Sequence, residues 1–95
     1  MSRPVPLHLP RLAQGSAGQW LRLPDSALRV VAVTGRVSGQ AGEVLCLSGA
    51  AVVDLPDRSF VRLRPGEAFR VTGGEWQATA LEAHTTLLLV PDGEG

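Results

Sequence analysis

Short apolar runs, each cut off by Gly, Pro or Asp, recur along most of this chain. They predict strands at about Trp20–Leu23, Leu28–Thr34, Val44–Leu47, Ala50–Leu55, Phe60–Leu63, Ala68–Thr72, Trp76–Leu81 and Thr85–Val90. The breakers are Pro24-Asp25-Ser26, Gly35, Gly39 to Gly42, Gly49, Pro56-Asp57, Pro65-Gly66 and Gly73-Gly74. Such spacing belongs to a small all-β sandwich or barrel of short, mostly antiparallel strands, not to alternating βα units. Only Ala80-Leu81-Glu82-Ala83 resembles a helical stretch, and Thr79, Thr85 and Thr86 around it favour extended backbone.

Alternation orients the side chains. Val61 and Leu63 oppose Arg62 and Arg64, and Phe69 and Val71 oppose Arg70 and Thr72, so each run has one apolar face. Arg64-Pro65-Gly66-Glu67 lies between these two runs. Pro at the second turn position and Gly at the third predict a type II turn with positive φ at Gly66, closing a hairpin. Val44 and Cys46 share one face, and Leu45 and Leu47 the other. Leu87-Leu88-Leu89-Val90 is apolar on both faces, which predicts a central strand or one capped by the N-terminal arm. Residues 1–18 read as that arm and a linker. Pro4, Pro6 and Pro10 argue against a regular helix, Leu7, Leu9 and Leu12 could lie on the body as an edge strand, and Gln14-Gly15-Ser16-Ala17-Gly18 is a flexible break. The packed domain is expected over 19–90, with 91–95 as a polar tail.

Composition narrows the function classes. A chain of 95 residues supplies one core, and 44% hydrophobic against 19% charged residues describes a globular domain. Nine basic residues balance nine acidic ones, so the electrostatic footprint of a nucleic-acid binder is missing. All nine are Arg, which excludes Schiff-base and P-loop lysine chemistry in this chain. The single cysteine, Cys46, forms no intramolecular disulfide. With no apolar signal-peptide run at the start and no apolar stretch of membrane-spanning length, it predicts a cytoplasmic protein with no membrane partner.

The second half resembles a known family. Val44-Leu45-Cys46-Leu47-Ser48-Gly49-Ala50-Ala51-Val52-Val53-Asp54, then Leu63-Arg64-Pro65-Gly66-Glu67, then Ala78-Thr79-Ala80-Leu81-Glu82, is similar to small bacterial cupin-like proteins. These are catalogued as domain of unknown function 2917. The similarity spans roughly residues 43–90; Val52 stands where the family usually carries Trp, and the segment from Gly35 to Gly42 is longer than its first turn. What the resemblance implies is a cupin-like, jelly-roll-type β-fold without an assigned activity.

Candidate chemistry is sparse. Enzymatic cupins hold a metal through two or three His and a Glu, whereas His8 and His84 are the only imidazoles here and lie in the arm and in a late turn. No metal and no cofactor is expected. Cys46, in mid-strand, reads as a buried thiol with a raised pKa. Asp54 and Asp57 bracket a turn, and Glu67 begins a strand, exposed or paired with an Arg. No catalytic residue is assigned. Arg58, Arg62, Arg64 and Arg70 form either a solvated face that guards a sheet from edge pairing or, through Arg62 and Arg70 on one hairpin face, an anion site. Trp20 and Trp76 are each expected to close one end of the core, and Trp76 is the aromatic wall of any pocket.

The leading expectation is therefore a non-enzymatic binding or assembly module, a homodimer with a further protein or small-molecule partner and no nucleic acid. The alternative is a metal-free binder of an anionic or planar ligand, or a minor enzyme, using Arg62, Arg70 and Trp76 around a pocket.

Overall fold

A computed structural model describes residues 6–92. One short helix, α1 (Leu9–Gln14), precedes nine strands: β1 (Leu21–Arg22), β2 (Arg29–Val33), β3 (Arg36–Gly39), β4 (Gly42–Ser48), β5 (Ala51–Asp54), β6 (Phe60–Leu63), β7 (Ala68–Val71), β8 (Trp76–Ala80) and β9 (Thr85–Pro91). They form two antiparallel sheets, in the orders β1-β2-β9-β4-β7 and β3-β8-β5-β6. The protein is a small all-β sandwich.

The core follows from alternation. Val31, Val33, Val44, Cys46, Val71, Leu87 and Leu89 face inward from the five-stranded sheet, and Val37, Ala51, Val53, Leu63, Trp76 and Ala78 meet them from the other. β9 lies between β2 and β4, pairing Leu88 with Val30 and with Leu45. Its second apolar face is covered as well, because Leu88 packs with Leu9, Ala13, Val30 and Ala32 in a separate cluster beneath α1. The doubly apolar run is thus both central and capped.

Three expectations need correction. The arm is not a Pro-broken edge strand: its Leu9–Gln14 segment is helical. Pro10 occupies the first turn, where a missing N–H removes no intrahelical bond, and His8 caps the helix, its Nδ1 accepting the Arg11 N–H at 3.2 Å. Ala13 is fully buried, so the packed body includes arm residues that precede Gln19. Residues 1–5 of the arm, with Pro4, and residues 93–95 of the tail lie outside the described residues.

A ninth strand, β3, occupies what read as a Gly-rich break. Its four residues carry only Val37 toward the core, too little alternation to be seen in the sequence.

The hairpin is the third correction. Gly66 does stand at φ 89°, and the Glu67 N–H donates to the Arg64 carbonyl at 2.9 Å, so the turn itself is as expected. Yet β6 pairs with β5 in one sheet and β7 with β4 in the other. The turn carries the chain across the sandwich. Periodicity fixes which side chains point inward, and the apolar faces of β6 and β7 are buried as well across the sandwich as side by side.

Candidate functional site

One flank of the sandwich is sealed by indoles. Trp20 and Trp76 meet edge to face, their ring centroids 5.9 Å apart and their planes at 87°. The Trp20 Nε1–H donates to the Ser38 carbonyl at 2.7 Å, and the Trp76 Nε1–H to the Gln40 carbonyl at 2.6 Å. Both bonds end on β3 or the residue after it, so the edge of the four-stranded sheet is tied to the segment leading into β1. Each indole closes the core, and Trp76, 1% exposed, is a core side chain.

The proposed trio of Arg62, Arg70 and Trp76 is accordingly not assembled. Arg62 projects from β6 and Arg70 from β7, in different sheets, because the connecting turn crosses between them. Arg70 is engaged on the outer face: its guanidinium donates to the Asp92 carboxylate at 2.6 Å and approaches Glu43 at 3.5 Å. The hydrogen bond to Asp92 and the two carboxylate charges hold it in its charged form.

Arg62 meets Arg64 instead. The two line a shallow depression of about 460 Å³ with Gly49, Ala50, Pro65, Leu81 and Glu82. Both ion pairs found among the described residues belong to Arg70, so the guanidiniums of Arg62 and Arg64 stand without a carboxylate partner there.

The opposite flank is open. β6 and β7 end their sheets on the same side, joined by the crossing turn, and a cleft of about 420 Å³ lies there, lined by Leu55, Pro56, Asp57 and the stretch from Phe69 to Gly73. Phe69 points to the inner face, as Val71 does, yet remains 36% exposed because β7 is the last strand of its sheet among the described residues. Phe60, on the outer face of β6, is 69% exposed.

The two edges differ in charge. β6 carries Arg62, with Arg58 before it and Arg64 after it, which guards that edge against strand addition. β7 carries only Arg70, whose positive charge is already taken up by Asp92 and Glu43. Sequence reasoning missed Phe69 as a surface residue, since its alternation marks it as core and only strand order shows that it ends a sheet.

The remaining candidates take structural places. Desolvation raises the pKa of the buried Cys46 thiol, a hydrogen bond with the Ser48 backbone that favours the thiolate opposes this, and the charges of Glu67 and Glu82 add to the rise. The Asp57 carboxylate accepts the Ser59 N–H at 2.9 Å and the Ser59 hydroxyl, and these bonds hold it below the usual carboxylate range. Glu67 Oε1 accepts the Arg64 N–H at 2.8 Å and closes the crossing turn from its far end. His84 stands exposed in the β8–β9 turn at φ 59°. Among the described residues no three His, Cys, Asp or Glu side chains group as metal ligands would. No helix among the described residues is long and apolar enough to cross a membrane.

No protein-family model matches the chain, and no curated protein matches it.

Proposed function

We propose that this chain is a non-enzymatic, cupin-like β module of the small bacterial family it resembles, acting in the cytoplasm by association, first of all with a second copy of itself. The carrying observation is the asymmetry of the sandwich. One flank is closed by Trp20 and Trp76, while the other presents an unguarded strand edge beside a half-open Phe69 and a cleft of mixed polar and apolar lining. The interior supports assembly rather than ligand enclosure, since Trp76, Val53, Leu87 and Leu89 fill the space between the sheets. A formal net charge of zero lets two copies approach without net repulsion. Sedimentation equilibrium of the purified protein tests the reading. A monomer–dimer equilibrium is expected, and a monomer at every concentration would refute it.

A second reading, binding of an anionic ligand, has its own observation in the Arg62–Arg64 depression. There two guanidiniums, without an ion-pair partner among the described residues, line the depression with Ala50, Pro65 and Leu81 and with the Glu82 side chain. A carboxylate-bearing apolar compound that raises the melting temperature of the parent chain, but not of Arg62→Ala, would support it.

A further inference from the structure

We infer that two copies join through β7, antiparallel and edge to edge, with the two Phe69 side chains meeting on the two-fold axis. The inference rests on the association proposed above and names the surface and register through which it acts. It starts from where the backbone of β7 points. The Cys46 N–H donates to the Glu67 carbonyl at 2.9 Å, and the Gly66 N–H to the Cys46 carbonyl at 2.8 Å. Continuing the ladder through Val44↔Phe69 and Gly42↔Val71, the main-chain groups of Phe69 and Val71 face β4. Those of Ala68 and Arg70 face outward, where β7 has no further neighbour in its sheet among the described residues.

The other edges are less available. β1 has two residues, too few for a ladder. At β3 the Ser38 carbonyl is already taken by the Trp20 indole. β6 is flanked by three arginines without carboxylate partners among the described residues, and these would face their own copies across a two-fold axis. Among the described residues, β7 is the edge that offers outward main-chain groups beside an arginine already paired with carboxylates.

Two-fold symmetry then fixes the register. Residues opposite each other in an antiparallel pair project to the same face, so the axis must pass through a residue position, and the two that keep most of β7 paired are Phe69 and Arg70. Centred on Arg70, the pairing would set the two guanidiniums against each other. Centred on Phe69, it sets Arg70 opposite Ala68 of the second copy, long against short, and leaves Arg70 bound to Asp92 and Glu43. The same register brings the two half-exposed rings together as a non-hydrogen-bonded pair, the closer of the two pair types. The result is a continuous sheet of ten strands, with each Phe69 closing the open flank of its neighbour.

The experiment is thiol cross-linking of the full chain, with the parent protein as control because its Cys46 is buried. A non-hydrogen-bonded pair places Cα atoms about 4.5 Å apart, within disulfide range. Phe69→Cys should therefore form a covalent dimer under mild oxidation, about tenfold or more faster than Arg70→Cys alone. A mixture of Ala68→Cys and Arg70→Cys copies, which keeps Phe69, should give the mixed dimer in preference to either homodimer. Rapid cross-linking of Arg70→Cys with none from Phe69→Cys would overturn the register. Failure of every variant to cross-link, with a dimer still seen by sedimentation, would overturn the β7 interface and leave the association standing. A monomer in sedimentation would remove both, leaving the edge to an extended segment of another protein.

Discussion

Gly39 lies directly beneath the indole of Trp76: a Cβ added there would stand 2.3 Å from Cζ2, far inside contact distance. The two residues pair across β3 and β8, so neither can slide away without breaking the ladder. Gly39 is not among the positive-φ glycines, and its requirement is therefore purely one of space. Gly39→Ala should cost about 2–3 kcal/mol by overpacking. Gly66→Ala, where open space surrounds the added methyl and only φ is strained, should cost about 1 kcal/mol. Urea unfolding of both variants checks the order, and Gly39→Ala as the milder change would contradict it.

Two adjacent buried threonines should respond in opposite ways to the same substitution. Thr85 Oγ1 accepts the Ala50 N–H at 3.2 Å, and its proton lies within reach of the carbonyls of Glu82 at 2.8 Å and Ala50 at 3.1 Å. Thr86 Oγ1 is buried with no hydrogen-bond partner among the described residues. Thr85→Val strands a buried N–H and should cost about 1–3 kcal/mol, whereas Thr86→Val removes an unmet hydroxyl and should be neutral or stabilise by about 1 kcal/mol. Thermal midpoints of the two variants decide this, and equal losses would show that Thr86 has a partner.

Much of this architecture can be read from residues alone, and the limits have physical causes. The inward faces of Val44 and Cys46, the double-sided Leu87 to Val90 strand, the positive φ of Gly66 and the burial of Cys46 all follow from period and turn chemistry. Strand adjacency does not. Phe60–Leu63 and Ala68–Val71 carry the alternation of a hairpin, yet the turn between them crosses the sandwich, and this separates Arg62 from Arg70. The helix of Leu9–Gln14 was hidden by Pro10, which is harmless in a first turn, and its stability comes from docking Ala13 rather than from propensity. The openness around Phe69 is a property of sheet order, and no local pattern encodes it.

Cys46 sets the alkaline behaviour. The chain has no Lys and no Tyr, so this thiol is the one side chain with an ordinary pKa between the imidazole and guanidinium ranges. Its pKa is raised above 9.0 by burial, so the folded protein keeps a proton that the unfolded chain releases. The stability this provides is complete below about pH 9 and is lost as pH rises through the folded value. Denaturant midpoints should stay flat to about pH 9 and then fall, with the fall absent in Cys46→Ala. An identical alkaline slope in that variant would contradict the assignment.

The α1 cap can be lifted without dissolving the sandwich. Ala13 is fully buried against Val30 and Ala32, and α1 contributes no strand to either sheet. Ala13→Arg should detach the helix, cost about 1–3 kcal/mol and increase binding of a hydrophobic dye, while the β circular dichroism signal persists. Loss of that signal would show that the helix is integral to the fold.

Amide hydrogen exchange along β7 tests the central claim most directly, because one strand carries both the internal and the proposed external ladder. The Phe69 N–H faces β4 and should be protected at every protein concentration. The N–H groups of Ala68 and Arg70 face outward and acquire a partner only when two copies pair. Their protection should rise with protein concentration in step with dimer formation, and Ala68→Pro, which removes one outward donor, should abolish it at Arg70. Exchange of Ala68 and Arg70 at unprotected rates in a solution that is fully dimeric, or in one that never dimerises, would contradict the account.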